Sequence, residues 1–289
     1  VTPPDEAVVE AMASLAGQYL IGVSTKMYFS HAQTMAWCRD VAARARAHAA
    51  VRSESARLFV VPGYLSIPAA LEILDGVADV GAQDLAVEDR GAFTGEVSGA
   101  QIAELGCRLV EIGHAERRRL FGEDDATVRA KTLAALRNGL VPLLCIGEPE
   151  RGKPEDAVRE CVRQLEDALS EARDRGLSGP VIAAYEPHWA IGAPEPASSE
   201  HIVAVCSALR DHVRGLEAFP GSRVIYGGSA GPGLLTAIGA AVDGLFLGRF
   251  AHDPAAVEAI LDEVAALTSS TGDGKAPAGT IGGAGGTHV

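Results

Sequence analysis

Basic charge is scarce in this chain. Of 289 residues, 25 are lysine or arginine against 38 aspartate or glutamate, a formal net charge of −13. Phosphate-backbone binding needs a broad basic surface, so the composition argues against a nucleic-acid partner. A small anion, which needs one local positive site, stays open. No lysine/arginine cluster forms a membrane patch. Aromatic residues make up only 5 %, which leaves Val, Ile, Leu and Ala to build the core. That is the palette of parallel strands buried on both faces. The five cysteines, Cys38, Cys107, Cys145, Cys161 and Cys206, are scattered and form no C-x-x-C pair. A disulfide framework or zinc site is thereby disfavoured, and a reducing compartment is expected. No apolar run approaches the length of a membrane span. The acidic, amphipathic start differs from the basic start and apolar core of a signal peptide. The expectation is a soluble, cytoplasmic protein.

What is present is a rhythm. Short apolar, β-branched runs recur at YLIGVS (19–24), RLFVV (57–61), ADVGAQ (78–83), CRLVEIG (107–113), VPLLCIG (141–147), PVIAAYE (180–186), RVIYGG (223–228) and DGLFLG (243–248). Helical patterns fill most of the gaps, for example MAWCRDVAARARAHAAV, DATVRAKTLAALRNG, PEDAVRECVRQLEDALSEARDRG and SSEHIVAVCSALRDHVRGL. Several end at Asn-Gly or Arg-Gly, as helix C-termini do. Strands alternating with helices make a parallel sheet, and eight strands close a (β/α)8 barrel where an open doubly wound sheet uses five or six. The spacing predicts one α/β domain, the barrel, over 19–267. An N-terminal extension, 1–18, carries a helix around 5–16. A Gly-rich tail, 268–289, lacks a hydrophobic period and is expected to be flexible.

In a closed parallel barrel the reactive groups stand at the C-terminal strand ends and on the loops that follow. Those positions hold Ser24 and Lys26 after strand one, His114 and Glu116 after strand four, Glu186 after strand six, Ser229 in a glycine turn after strand seven, and Gly248-Arg249 after strand eight. One base, one imidazole, two cations and two glycine-containing turns suit an anionic substrate and a proton transfer. Each residue alone has a plainer reading. Lys26 could snorkel from the rim, His114 could be a hydrogen-bonded core histidine, Glu186 could pair with an arginine, and Glu116 could serve the helix dipole. Their joint placement is harder to dismiss. Backbone N–H groups after strands seven and eight form the usual phosphate cradle of such barrels.

The segments EIGHAERRRLFGEDD, VPLLCIGE, AYEPHWAIG, YGGS and VDGLFLG, in this order, resemble triosephosphate isomerase from Ile21 to about residue 265. The resemblance implies a single-domain TIM barrel and an aldose–ketose isomerisation of a small phosphosugar through an enediolate. Glu186 would be the base, His114 a neutral electrophile, Lys26 the oxyanion-stabilising cation, and Glu116 the residue that orients them. Gly192, Ser229 and Gly248 would hold the phosphate. WAIGAPEPASS looks like the family's lid, hinged at Pro187 and Trp189. The loop GAFTGEVS (91–98) looks like the one that enters a second subunit, with Thr94 bracing Lys26 or Glu116, so a homodimer is implied. No metal or organic cofactor is implied. The default substrates would be dihydroxyacetone phosphate and glyceraldehyde 3-phosphate, which places the enzyme in glycolysis and gluconeogenesis.

The pattern departs from the family at the pocket walls. The usual Asn-x-Lys is Ser24-Thr25-Lys26, the serine after the histidine is Ala115, and the lid tip is Ala193-Pro194-Glu195-Pro196. Gly-Gly at the phosphate end is Gly248-Arg249, which adds a charged phosphate donor. His188 sits between the hinge residues. A substrate shifted to a four-carbon erythrulose phosphate is the alternative these changes suggest. Three other readings remain. GGSAG (227–231) fits the G-x-S-x-G nucleophile elbow, with Asp243 and His252 following in order. Lys26 could form a Schiff base in an aldolase. A catalytically silent paralogue could bind sugar phosphates as a sensor.

Overall fold

The computed structural model describes residues 18–272. Eight strands follow one another: β1 (Tyr19–Ser24), β2 (Ala56–Val61), β3 (Ala78–Ala82), β4 (Leu109–Ile112), β5 (Val141–Ile146), β6 (Ile182–Tyr185), β7 (Arg223–Tyr226) and β8 (Gly244–Leu247). Each pairs in parallel with the next, and β8 returns to β1 through Leu20 opposite Gly244 and Val23 opposite Leu247. The expected (β/α)8 barrel is therefore closed. The helices are α1 (His31–Ala47), α2 (Ala49–Arg52), α3 (Ile67–Leu74), α4 (Gly99–Glu104), α5 (Ala115–Phe121), α6 (Asp125–Arg137), α7 (Pro154–Asp174), α8 (Ser199–Arg214), α9 (Leu234–Ile238) and α10 (Pro254–Gly272). No described helix is long and apolar enough to cross a membrane.

Two apolar regions hold the barrel. Outward-facing strand residues such as Val23, Val60, Val110 and Leu144 pack with the helices in one continuous core. Inward-facing ones, among them Leu20, Phe59, Leu109, Leu143, Ile182, Ile225 and Phe246, fill the barrel itself. The period-two alternation of a strand sends neighbouring residues to these two opposite regions. Phe59 and Phe246 stack at 5.8 Å and plug the centre. Gly22 leaves room for them, because a Cβ there would lie 2.0 Å from the Phe59 ring.

Local signals set the helix starts. Ser30 and Gln33 cap α1 reciprocally, Asp124 accepts the Thr127 N–H at α6, and Ser198 accepts the His201 N–H at α8. The run MAWCRDVAARARAHAAV reads as one helix in the sequence but is two. His48 leaves the helical region at φ −76°, ψ 136°, and its Nδ1 accepts the Ala50 N–H to start α2. Helix α10 carries through residue 267, the expected end of the barrel, to Gly272. The predicted N-terminal helix and the rest of the Gly-rich tail lie outside the described residues.

Candidate active site

The inward alternation that fills the barrel with apolar side chains changes character at its C-terminal end. On β4, Leu109 is followed two residues later by Glu111. On β5, Leu143 is followed by Cys145, and on β6, Ala184 is followed by Glu186. Ser24 ends β1 in the same polar layer. Above it opens a cavity of about 460 Å³ lined by Ser24, Lys26, His114, Glu186, Ser229 and Arg249, among others.

Glu186 is 4 % exposed. Burial, then the neighbouring Glu111 carboxylate, pushes its carboxyl up to about 8. The Cys145 thiol lies beside it and favours the ionised form, while Oε2 has no hydrogen-bond partner. Gly227 makes the space for this carboxylate, since a Cβ there would meet Oε1 at 2.5 Å. An unpartnered, desolvated carboxylate oxygen is held ready for a proton.

His114 is the N-cap of α5 and is buried. Its Nδ1 accepts the Glu116 backbone N–H at 3.1 Å, which leaves the ring proton of the neutral form on Nε2. That nitrogen lies 3.4 Å from Glu186 Oε2 and 4.0 Å from Glu111 Oε1. Burial, then the charge of Lys26, pushes the imidazole down to about 4, so at neutral pH it is an uncharged donor.

Lys26 sits in the left-handed region at φ 46°, a conformation that a side chain other than glycine tolerates only when its surroundings impose it. Gln83 imposes it. Its Nε2 donates to the Lys26 carbonyl at 2.9 Å and to the Val61 carbonyl at 3.1 Å. Nζ then reaches Glu116 Oε1 at 2.8 Å. Burial opposes the ammonium charge, but Glu116, Glu186 and Glu111 outweigh it and raise the lysine pKa. The α5 helix that carries His114 and Glu116 is fastened from behind. Arg117 pairs with Asp84 at 2.7 Å and Glu123 at 2.6 Å, and buried Lys131 bridges the same two carboxylates.

The lid is latched over the cavity. Ser229, itself at φ 55°, donates to the carbonyls of Ala190 at 2.8 Å and Ala193 at 3.1 Å. The Ala197 N–H donates to the Tyr226 hydroxyl at 3.1 Å. At the hinge, Trp189 Nε1 and the Tyr185 hydroxyl both donate to Glu148 Oε1, at 2.8 and 3.2 Å. Pro187 opens the 3-10 turn His188–Ala190. Gly192 and Gly248 also line the cavity. Arg249, expected to face a phosphate, donates from Nη2 to the Gly192 carbonyl at 3.1 Å.

The structure thus brings Ser24, Lys26, His114, Glu116, Glu186, Gly192, Ser229, Gly248 and Arg249 around one cavity. Thr94 is not among them and lies on an exposed loop. The nucleophile-elbow reading fails on geometry. The Ser229 hydroxyl is spent on the lid, Asp243 accepts the Val224 N–H and pairs with Arg210, and the His252 ring packs on Tyr28 and Phe29. Sequence reasoning missed Glu111, whose Oε2 accepts the Ser24 hydroxyl at 3.1 Å. A lone glutamate within the otherwise apolar run LVEI was the available signal.

The triosephosphate isomerase family model matches residues 19–264. An L-erythrulose-1-phosphate isomerase of Pectobacterium atrosepticum is 52 % identical over 250 residues, 86 % of this chain and 96 % of that protein. A triosephosphate isomerase of Rhodococcus jostii is 38 % identical over 226 residues, 74 % of this chain and 84 % of that protein. A crystal structure of triosephosphate isomerase from Bartonella henselae superimposes with a TM-score of 0.69 at 27 % identity, covering 85 % of this chain and 98 % of that one. With the closed barrel and the strand-end residues already in place, these matches make the chain a member of the triosephosphate isomerase family.

Proposed function

We propose that this isomerase acts on a four-carbon ketose phosphate, erythrulose 1-phosphate, and that triose phosphates, the default expectation from the sequence, are the poorer substrates. The observation that carries this reading is the 52 % identity, along 96 % of its length, to a protein named L-erythrulose-1-phosphate isomerase. The replaced wall residue Ser24 supports it.

The chemistry follows from the substrate's connectivity. Erythrulose 1-phosphate is dihydroxyacetone phosphate with a hydroxymethyl group added at the carbon that loses its proton. Glu186 takes the proton from C3, and the C–H electron pair becomes the C2–C3 double bond. The carbonyl electrons move onto O2, where His114 Nε2–H and the Lys26 ammonium stabilise the charge. A proton passes from O3 to O2, and Glu186 returns its proton to C2. The carbonyl has moved to C3, so the product is erythrulose 4-phosphate. No electrons leave the substrate, and no redox partner enters. The buried, desolvated Glu186 is a stronger base than an exposed carboxylate. Glu116 orients Lys26 and, through its backbone N–H, His114.

Gly192, Ser229, Gly248 and Arg249 would hold the phosphate, with the lid between Pro187 and Trp189 on one side and Ala197 on the other excluding water. The Arg249 bond to the Gly192 carbonyl couples a phosphate contact to lid closure. A complete base, electrophile and cation set favours catalysis over a silent sensor. Met27 and Phe93 are exposed, 96 % and 48 %, and we infer that a second copy covers them in a homodimer, with Thr94 at that contact. The test is proton NMR in deuterated water. Erythrulose 1-phosphate should give the 4-phosphate with one deuterium at the carbon that receives the proton. Recovery of unlabelled, unchanged substrate would overturn the reading.

A further inference from the structure

We propose that Glu111 and Ser24 together receive the terminal hydroxymethyl group of the substrate, the end remote from the phosphate, and so set the preference for four carbons over three. This rests on the erythrulose phosphate reading above.

Gly192, Ser229 and Gly248 lie on loops beyond the strand ends, whereas Ser24 is the last residue of β1 and Glu111 lies inside β4. A substrate whose phosphate is held at the loops points its other end down toward this pair. His114 and Glu186 follow the ends of β4 and β6, and the His114 side chain reaches toward the pair, with Nε2 4.0 Å from Glu111 Oε1.

Glu111 is 4 % exposed inside a barrel whose next inward β4 residue, Leu109, belongs to an apolar cluster. A buried carboxylate is costly and is disfavoured unless polar partners meet it. Ser24 supplies one hydrogen bond, to Oε2 at 3.1 Å; it lines the cavity, and a hydroxyl that donates still has lone pairs with which to accept. Glu111 stands buried behind Ser24, joined to its hydroxyl, so the acceptor that meets the cavity is Ser24 Oγ, with the Glu111 carboxylate within reach of a hydroxyl that enters beside it. The C4 hydroxyl of erythrulose 1-phosphate is a donor at the matching end, and dihydroxyacetone phosphate has nothing there. A triose leaves the pair facing water or empty space, and sites built to bind a hydroxyl discriminate against ligands that lack it.

The experiment pairs a substrate change with a residue change. kcat/KM is measured on erythrulose 1-phosphate, on its 4-deoxy analogue, and on dihydroxyacetone phosphate, for wild type, Glu111→Leu, Glu111→Gln and Ser24→Ala. Wild type should lose about 10- to 100-fold on the 4-deoxy analogue, the range of a hydrogen bond to a charged group. In Glu111→Leu that ratio should collapse to within about threefold, and in Ser24→Ala and Glu111→Gln it should shrink in part. The ratio of erythrulose 1-phosphate to dihydroxyacetone phosphate should shift in the same direction. Leucine suits an apolar barrel interior, and Gln keeps the side-chain shape should leucine fail to fold. A parallel fall on all three substrates would overturn the proposal, because Glu111 would then serve Glu186 and His114 generally. So would a wild-type preference for the hydroxyl that survives in every variant, which puts the receptor elsewhere while leaving the substrate reading intact. Wild type inactive on erythrulose 1-phosphate removes both.

Discussion

His114 Nε2 lies 3.4 Å from Glu186 Oε2, and that oxygen has no hydrogen-bond partner. A donor and a base thus stand almost in contact at the inner end of the cavity, both within reach of one substrate. Glu186→Gln, which keeps the shape and removes the basicity, should lower kcat by about 10²–10⁴-fold. Deuterium exchange from solvent into substrate should fall in parallel. Exchange at the wild-type rate would show that another group moves the proton.

The Glu116 N–H bond to His114 Nδ1 dictates a tautomer. Nitrogen-15 shifts of the histidine rings should show His114 as neutral with its proton on Nε2, and titration should leave it so down to roughly pH 5, since the group is pushed down to about 4. Protonation near pH 6.5 would contradict the electrophile role.

The pH profile of kcat/KM follows from Glu186. Burial and then Glu111 push it up to about 8, and it works only when ionised, so kcat/KM should rise with pH through that region. Glu111→Gln removes the repelling carboxylate, which stabilises ionised Glu186 and moves the rising limb to lower pH. Stability runs the other way. Glu111 and Glu186 bind protons more tightly folded than unfolded, up to about 7 and 8. Their contribution is present below the ordinary carboxyl range, near pH 4.5, and fades as pH climbs through those values. The Tm of wild type should drop across that window, and Glu111→Gln should flatten the drop.

Lid closure depends on Ser229 and Tyr226. Ser229→Ala loses the bonds to Ala190 and Ala193, and Tyr226→Phe loses the Ala197 bond. Each net bond is worth about 0.5–1.5 kcal/mol, so kcat should fall several-fold in each variant. A less protected enediolate should also shed its phosphate more often. Inorganic phosphate released per turnover reads this, and an unchanged value would detach these bonds from closure.

Much of this was legible in the chain. The eight strands are visible because each is a short apolar run bounded by charged helical patterns, and their observed ends fall within two residues of the expected ones. Glu186, His114, Lys26 and Glu116 stand out because a charged or imidazole group directly after a buried run is costly without a use. Glu111 escaped because it lies within a strand, where inward and outward phase decide its fate and only the closed barrel fixes that phase. The His48 break escaped because both flanks have good helix formers, and its ring had to cap α2. Arg249 illustrates a third limit. Its charge suggested a phosphate contact, but the chain alone could not show that it also donates to the carbonyl of Gly192, a partner 57 residues away in sequence.

The most direct test is the ratio of kcat/KM for erythrulose 1-phosphate to that for dihydroxyacetone phosphate, measured on the purified full chain under one set of conditions. The tetrulose phosphate should be favoured by at least about tenfold, the discrimination of a single well-made hydrogen bond to a charged group. Equal values, or a preference for the triose, would contradict it.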